Sequence, residues 1–172
     1  MNSEAVPRCT VAADLIVEVI DYANEDDAAD LLALLDVYAG DPMGGGAPLP
    51  NEVRDRVVAG LSATHGAFSM IARMDGVAVG LANCFVTYST FAAAPLVNVH
   101  DFVVASGHRG RGIGKALLAA IDVEACKRGA CKVTLEVLSG NAPAKALYAG
   151  CGFGDYQLDP AAGHAQFWQK KL

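Results

Sequence analysis

Arg109-Gly110-Arg111-Gly112-Ile113-Gly114 sets three glycines at alternate positions beside two arginines. The stretch lies between an apolar strand end, Val103-Val104, and a helix on which Ile113, Leu117, Ala120 and Ile121 repeat along one face. The first amides of a helix have no intrahelical partner, and the macrodipole adds positive potential there. Glycines carry no Cβ, so a phosphate can come close to those amides. Arg109 and Arg111 add forked, permanently charged donors. Together these residues read as a pyrophosphate cradle. It is not a Walker loop, because no Gly-Lys-Ser/Thr follows, and it is not G-x-G-x-x-G, because Lys115 stands three residues after Gly112.

The elements that must position the cradle follow from periodicity and turn residues. Residues 11–22, with Leu15, Ile16, Val17, Val19 and Ile20, read as a strand. Asn24 can cap a helix with acidic residues in its first turn, an apolar face of Leu31, Leu32, Leu35 and Tyr38, and a stop at Gly40. Residues 40–50, rich in glycine and proline, read as a flexible loop before a second helix facing inward through Val53, Val57 and Leu61. Residues 67–73 and 77–88 form a hairpin around Asp75-Gly76, with Gly80 at a bulge. A loop over 89–95 leads to a strand over 96–104, which feeds the cradle. The next helix runs from about Arg111 to a stop at Gly129. Val133, Leu135 and Val137 alternate in a further strand. Asn141 can cap a helix carrying Ala144, Leu147 and Tyr148, and residues 153–172 read as a final hairpin.

The arginine–x–x–Gly–x–Gly order over residues 109–114 resembles the acetyl-CoA loop of the GNAT acetyltransferase superfamily, with its small-molecule, diamine-type members as the nearest in kind. Residues 135–148 resemble the second cofactor motif of that superfamily, and Tyr148 through Cys151-Gly152-Phe153 repeats its Tyr-x-x-x-Gly-Phe pattern. The order of elements also resembles that fold. The likeness covers most of the chain; it is most specific over 97–153 and weak in the first 65 residues.

The resemblance implies a mixed α/β fold of about seven strands flanked by about four helices, as one domain over residues 1–172. It implies acetyl-CoA as acetyl donor and no metal. Backbone groups of Phe102, Val103 and Val104 would hold the pantetheine arm like an added strand and polarise the thioester carbonyl, as in an oxyanion hole. Arg109, Gly110, Arg111, Gly112, Ile113 and Gly114 would hold the pyrophosphate, Asn141 would contact the pantetheine arm, and Tyr148 would stand near the sulfur. The implied activity is direct acetyl transfer to a primary amine of a small molecule. Acetylation of a protein or peptide, and a non-catalytic acyl-CoA sensor, are the other two readings; Tyr148 and the His100-Asp101 pair favour catalysis. None of the five cysteines falls at a matched position, which argues against a covalent thiol route.

An alkylammonium group titrates near ~10.4, so the amine needs a base or a relay. His100 and Asp101, just before the cofactor strand, are the catalytic candidates. Related amine acetyltransferases often carry Glu-Asp there, so His100 stands where a carboxylate is common. It reads either as a proton relay or as a satisfied strand histidine. Asp101 reads either as a base or as a buried structural acid bonded to a neighbouring loop. Strict alternation puts Asp101 with Val97, Val99 and Val103 and puts His100 with Asn98 and Phe102, unless a bulge changes the register. The glycines at 44–46 are expected to form a mobile lip over the acceptor.

Length and composition bound these readings. At 172 residues the chain can bury a core as a single domain. A net charge of −6 argues against nucleic acid as a partner. No apolar run reaches membrane-spanning length, residues 1–10 do not read as a signal peptide, and the cysteines lack metal-ligand spacing, so a cytoplasmic protein with reduced thiols is expected. Association into a homodimer is left open.

Overall fold

A computed structural model describes residues 14–156, 159, 161, 163 and 165–171. Its centre is a five-stranded sheet with strand order β1-β2-β3-β4-β5. The strands are β1 (Leu15–Val19), β2 (Ala67–Met74), β3 (Val77–Ser89), β4 (Ala94–Val104) and β5 (Val133–Leu135). Neighbours from β1 to β4 are antiparallel, and β5 joins β4 in parallel through a helical crossover. The helices are α1 (Glu25–Gly40), α2 (Asn51–Ala63), α3 (Ile113–Lys127) and α4 (Ala142–Gly150). This is the mixed α/β class expected, with fewer strands among the described residues. The hairpin expected over 153–172 is absent among the described residues there, whose aromatic side chains Tyr156, Phe167 and Trp168 are exposed and give a strand no buried face. Cys9, Pro160, His164 and the start of the first expected strand lie outside the described residues.

Each face of the sheet has its own core. Leu117, Leu118 and Ile121 of α3 pack with Phe68, Met70, Val79, Val97 and Val99 on one face. Leu31, Leu34 and Leu35 of α1 pack with Ile71, Leu81 and Val103 on the other, where Tyr38, Val57 and Leu61 close the edge. Gly80 matters to the first face: a Cβ there would lie 2.9 Å from Leu117 Cδ1 and 3.3 Å from Ile113 Cγ2. The bulge expected at Gly80 falls on its neighbour Val79, which stands unpaired between Ala72–Gly80 and Arg73–Ala78.

Helix ends follow local chemistry. Asn24 accepts from the N–H groups of Asp26 and Asp27 and starts α1. The segment between α1 and α2 is tied back onto α1: the N–H groups of Gly45 and Ala47 both donate to Ala39 O, at 3.0 and 3.1 Å. Asp36 accepts from Leu49 N–H at 2.9 Å and pairs with Arg54 at 3.0 Å. The Leu49 N–H, with Arg54 adding to it, holds the Asp36 carboxyl below the usual range. The glycines at 44–46 are therefore part of a bonded turn, where a mobile lip was expected.

Candidate active site

β4 and β5 pair only at Val97–Val133, Asn98–Thr134 and Val99–Leu135. β4 continues to Val104, so its outer edge beyond Val99 has no strand beside it among the described residues. The cause is local. On the inner side Cys84 pairs with Val99 and Asn83 with Asp101, which leaves His100 as an extra, bulged residue. A bulge bends its strand and sharpens its twist. β4 turns away from β5, and β5 stops at Leu135, short of the expected Val137.

Alternation along the antiparallel ladder decides what the open edge offers. Ala105 N–H donates to Val79 O at 2.9 Å, toward β3. Val103, two residues earlier, therefore also turns its N–H and C=O toward β3. Phe102 and Val104 turn theirs outward. Arg109 Nε donates to the Val104 carbonyl at 2.9 Å, which leaves the Val104 N–H and the Phe102 N–H and C=O along the edge. The bulge also sorts the side chains. Phe102 and Val104 join Val97 and Val99 on the α3 face, while Val103 packs on the α1 face. His100 is exposed and rests edge-on against Phe85, their ring centroids 5.6 Å apart. Asp101 accepts from Asn83 Nδ2 at 2.9 Å, so its partner is a strand residue of β3 and not a loop. His100 and Asp101 thus share one side of β4, a pairing that strict alternation excludes.

Past Val104 the chain makes one 3-10 turn, Ser106–His108, and enters the cradle. Gly110 and Gly112 have φ of +77° and +83°, with open space where a Cβ would stand. Only glycine takes that conformation without strain. Gly112 caps α3 and accepts from Ala116 N–H at 3.0 Å, and no side chain caps the amides before it. Those amides are the anion-binding donors of a helix N-terminus. Gly114 differs from the other two. A Cβ there would lie 2.8 Å from Leu147 Cδ2 and 3.7 Å from Phe102 Cε1, so this glycine lets α3, α4 and β4 meet. The Ile113 side chain is buried in the core, and only its backbone can serve a ligand.

The two arginines are placed unequally. Arg109, besides its bond to Val104, pairs with Asp41 at the end of α1 at 2.8 Å. This guanidinium, with the Met43 N–H, holds the Asp41 carboxyl below the usual range. Arg111 is exposed, with Met74 Sδ 3.6 Å from Nη1. Across the open edge, Asn141 caps α4 by accepting from Ala144 N–H at 3.2 Å. Tyr148 on α4 is buried, with its ring centroid 5.9 Å from that of Phe102 and 6.0 Å from that of Phe153. Burial pushes its hydroxyl up to about 12, and Tyr38 adds to the shift. Tyr38 is itself raised, by burial first and then by the charges of Asp101 and Asp41.

Helix N-terminal amides, an extended strand edge and a protonated phenol fit an elongated thioester ending in phosphates. Among the described residues no three His, Cys, Asp or Glu side chains gather as metal ligands, and no helix is long and apolar enough to cross a membrane. Cys84, Cys126, Cys131 and Cys151 are free thiols. Tyr38, Asp41 and Asn83, which lie beside Tyr148, Arg109 and Asp101, escaped sequence reasoning as site candidates. Asn83 had a readable signal, because it interrupts an apolar strand.

Residues 31–153 match the model of the acetyltransferase (GNAT) family. A streptothricin acetyltransferase of Streptomyces lavendulae is 43% identical over 65 residues, 38% of this chain and 34% of that enzyme's length. An aminoglycoside N-acetyltransferase, AAC(6')-Iy, in complex with CoA superposes with a TM-score of 0.75 at 17% identity, covering 95% of this chain and 99% of that one. A ribosomal-protein-alanine N-acetyltransferase from Brucella melitensis biovar Abortus 2308 gives a TM-score of 0.62 at 21% identity, covering 92% of this chain and 98% of that one. The family match spans well over half of the chain and includes the open edge of β4, the glycine turn and Tyr148: the protein belongs to the acetyltransferase (GNAT) family.

Proposed function

We propose that the protein transfers the acetyl group of acetyl-CoA directly to a primary amine of a small molecule. One observation carries this reading: β4 parts from β5 after Val99 and leaves extended backbone donors between the α3 N-terminus and Tyr148. Pyrophosphate lies on the α3 amides beside Gly110 and Gly112, with Arg111 as the more available cation. The outward groups of Phe102 and Val104 take the pantetheine arm as an added strand, and the Val104 N–H polarises the thioester carbonyl. Asn141 lies beside the arm from the α4 side.

The acceptor enters from the side of α1, where His100, Asp101 and Tyr38 face it. Asp101 receives the ammonium group, and His100, exposed beside it, passes the released proton to water. At about 12 the Tyr148 phenol stays protonated throughout the working range. A thiol titrates near ~8.5, so complete proton transfer from this phenol to the leaving thiolate is uphill. Tyr148 therefore acts as a hydrogen-bond donor to the sulfur as charge develops on it. Small-molecule acceptors are favoured by the likeness to the streptothricin enzyme, which is the stronger match in sequence.

Thiol release from acetyl-CoA, measured over a panel of amines, tests the reading. Tyr148→Phe should lower turnover about 10²-fold, the low end for such a group because water can partly replace it, and leave acetyl-CoA affinity by calorimetry unchanged. Equal turnover in the variant reduces Tyr148 to a packing residue.

A further inference from the structure

A row of polar groups crosses the α1 face of the sheet, between the apolar side chains of Ile71, Leu81 and Val103. It starts at Tyr22, half-buried after β1, whose hydroxyl lies 2.8 Å from Ser69 Oγ on β2. Ser69 Oγ lies 2.6 Å from Asn83 Oδ1 on β3. Asn83 Nδ2 donates to Asp101 Oδ2 on β4 at 2.9 Å. Ser69 and Asn83 face each other in register, as do Asn83 and Asp101, so the row runs straight across three strands. Ser69 is fully buried and Asn83 is 1% exposed. Buried polar groups in an apolar layer cost stability unless each is satisfied. Every one here is.

The chemistry of the groups makes the row directional. An ionised carboxylate only accepts, so the nitrogen of the Asn83 amide must face Asp101. Its carbonyl oxygen then faces Ser69, which commits its single hydroxyl proton there. Ser69 Oγ can therefore only accept from Tyr22. Every donor arrow points toward Asp101. The row cannot relay a proton, because an amide in its middle does not pass one on. What it does is hold Asp101 Oδ2 with a fixed partner and orient the carboxylate. Asp101 Oδ1 has no hydrogen bond among the described residues, and the bulge at His100 is what turns this side chain to the acceptor side of β4.

We propose that Asn83 is a positioning residue for the acceptor: backed by Ser69 and Tyr22, it orients the Asp101 carboxylate so that its second oxygen receives the ammonium group of a cationic amine. The proposal rests on the acetyl-transfer reading and narrows its substrate class to amines that arrive charged. It assigns the row to acceptor binding, with no part in holding acetyl-CoA.

The test is steady-state kinetics of the full chain with acetyl-CoA and two cationic probes, 1,4-diaminobutane and neamine, on Asn83→Leu, Ser69→Ala and Tyr22→Phe. Asn83→Leu keeps the volume and removes the amide. It should raise the acceptor KM about 10-fold, the effect of loosening one charge-assisted hydrogen bond, and leave the acetyl-CoA KM within about twofold of wild type. Tyr22→Phe removes only the outermost donor at a half-buried position where folding is not at risk. It should raise the acceptor KM about twofold, with Ser69→Ala between the two. An acetyl-CoA KM that rises as far as the acceptor KM overturns the proposal, since the row would then serve only the fold. An active wild type whose Asn83→Leu and Tyr22→Phe variants keep its acceptor KM overturns the proposal alone. A wild type that neither binds acetyl-CoA nor releases thiol with either amine overturns the transferase reading and the proposal together.

Discussion

Two turns in this chain carry runs rich in glycine, and the protein uses them in opposite ways. In the turn after α1, a Cβ on Gly44 would stand 2.0 Å from Tyr38 O, and one on Gly45 3.0 Å from Ala39 O. The protein has already filled that space, and the missing side chains let the turn lie against the end of α1. In the turn before α3, Gly110 and Gly112 have nothing within 4 Å of a Cβ. Their need for glycine lies in positive φ, and the space above them is left for a ligand. Composition cannot tell these cases apart. The difference appears only when one asks what a methyl group would touch.

That contrast can be broken from either side. Gly112→Asp puts a carboxylate into the space above the α3 amides, and Asp is among the residues least strained at positive φ, so the chain should still fold. Acetyl-CoA affinity by calorimetry should fall at least about 100-fold, because the added charge competes for an anion site. A folded variant with unchanged affinity would show that this turn is not the cradle. Gly44→Ala should do the reverse. A methyl group driven against the Tyr38 carbonyl forces the turn off α1 and should cost about 2–3 kcal/mol in denaturant unfolding, the upper part of the range for single substitutions. Acetyl-CoA affinity should hold. If stability holds instead, the turn is loose and the expectation of a mobile lip returns.

The smallest effect joins the two turns. Asp41 lies at the start of the first and Arg109 at the start of the second, and they pair at 2.8 Å. Arg109 is half-exposed, so Asp41→Asn should cost under about 1 kcal/mol. The folded state holds the Asp41 carboxyl below its usual value. Its contribution is thus complete above the unfolded value of about 3.9 and is lost as pH falls through the lower, folded one. Wild type and Asp41→Asn should therefore differ most at neutral pH and converge in acid. A constant gap would mean that the pair adds nothing through charge.

Much of the positioning framework was legible from local chemistry. Asn24 announces α1, Asp75-Gly76 the β2–β3 hairpin, and the run from Val103 to Gly114 the strand, turn and helix of the cradle. These signals lie within a few residues of what they specify. The bulge at His100 does not. It exists only against the register of β3, where Asn83 and Cys84 choose between Val99 and Asp101. A sequence read one strand at a time puts His100 and Asp101 on opposite faces, while the paired strands bring them together. Gly114 was readable as part of the glycine run, but its packing against Leu147 belongs to a contact between two helices. The strands expected after Phe153 rested on turn residues and alternation alone, and the described residues there form no ladder.

The order of strands in the sheet has a consequence for how the site comes into being. From β1 to β4 each strand lies beside the next in the chain: β2–β3 and β3–β4 are hairpins that close short loops, β1 reaches β2 across α1 and α2, and all four strands precede α3, so they can form early, during synthesis. They already contain the row from Tyr22 to Asp101 and the bulge at His100. The other wall arrives late: β5 reaches β4 only after the α3 crossover, through three residue pairs, and Tyr148 follows on α4. A nascent chain that has left the ribosome as far as α3 would hold Asp101 with its polar row and the glycine turn, yet nothing opposite them. The outer edge of β4 at Val97–Val99 is then also an exposed strand with unpaired groups until β5 emerges. Synthesis thus leaves a window in which this part of the edge can pair wrongly, and β5 closes it.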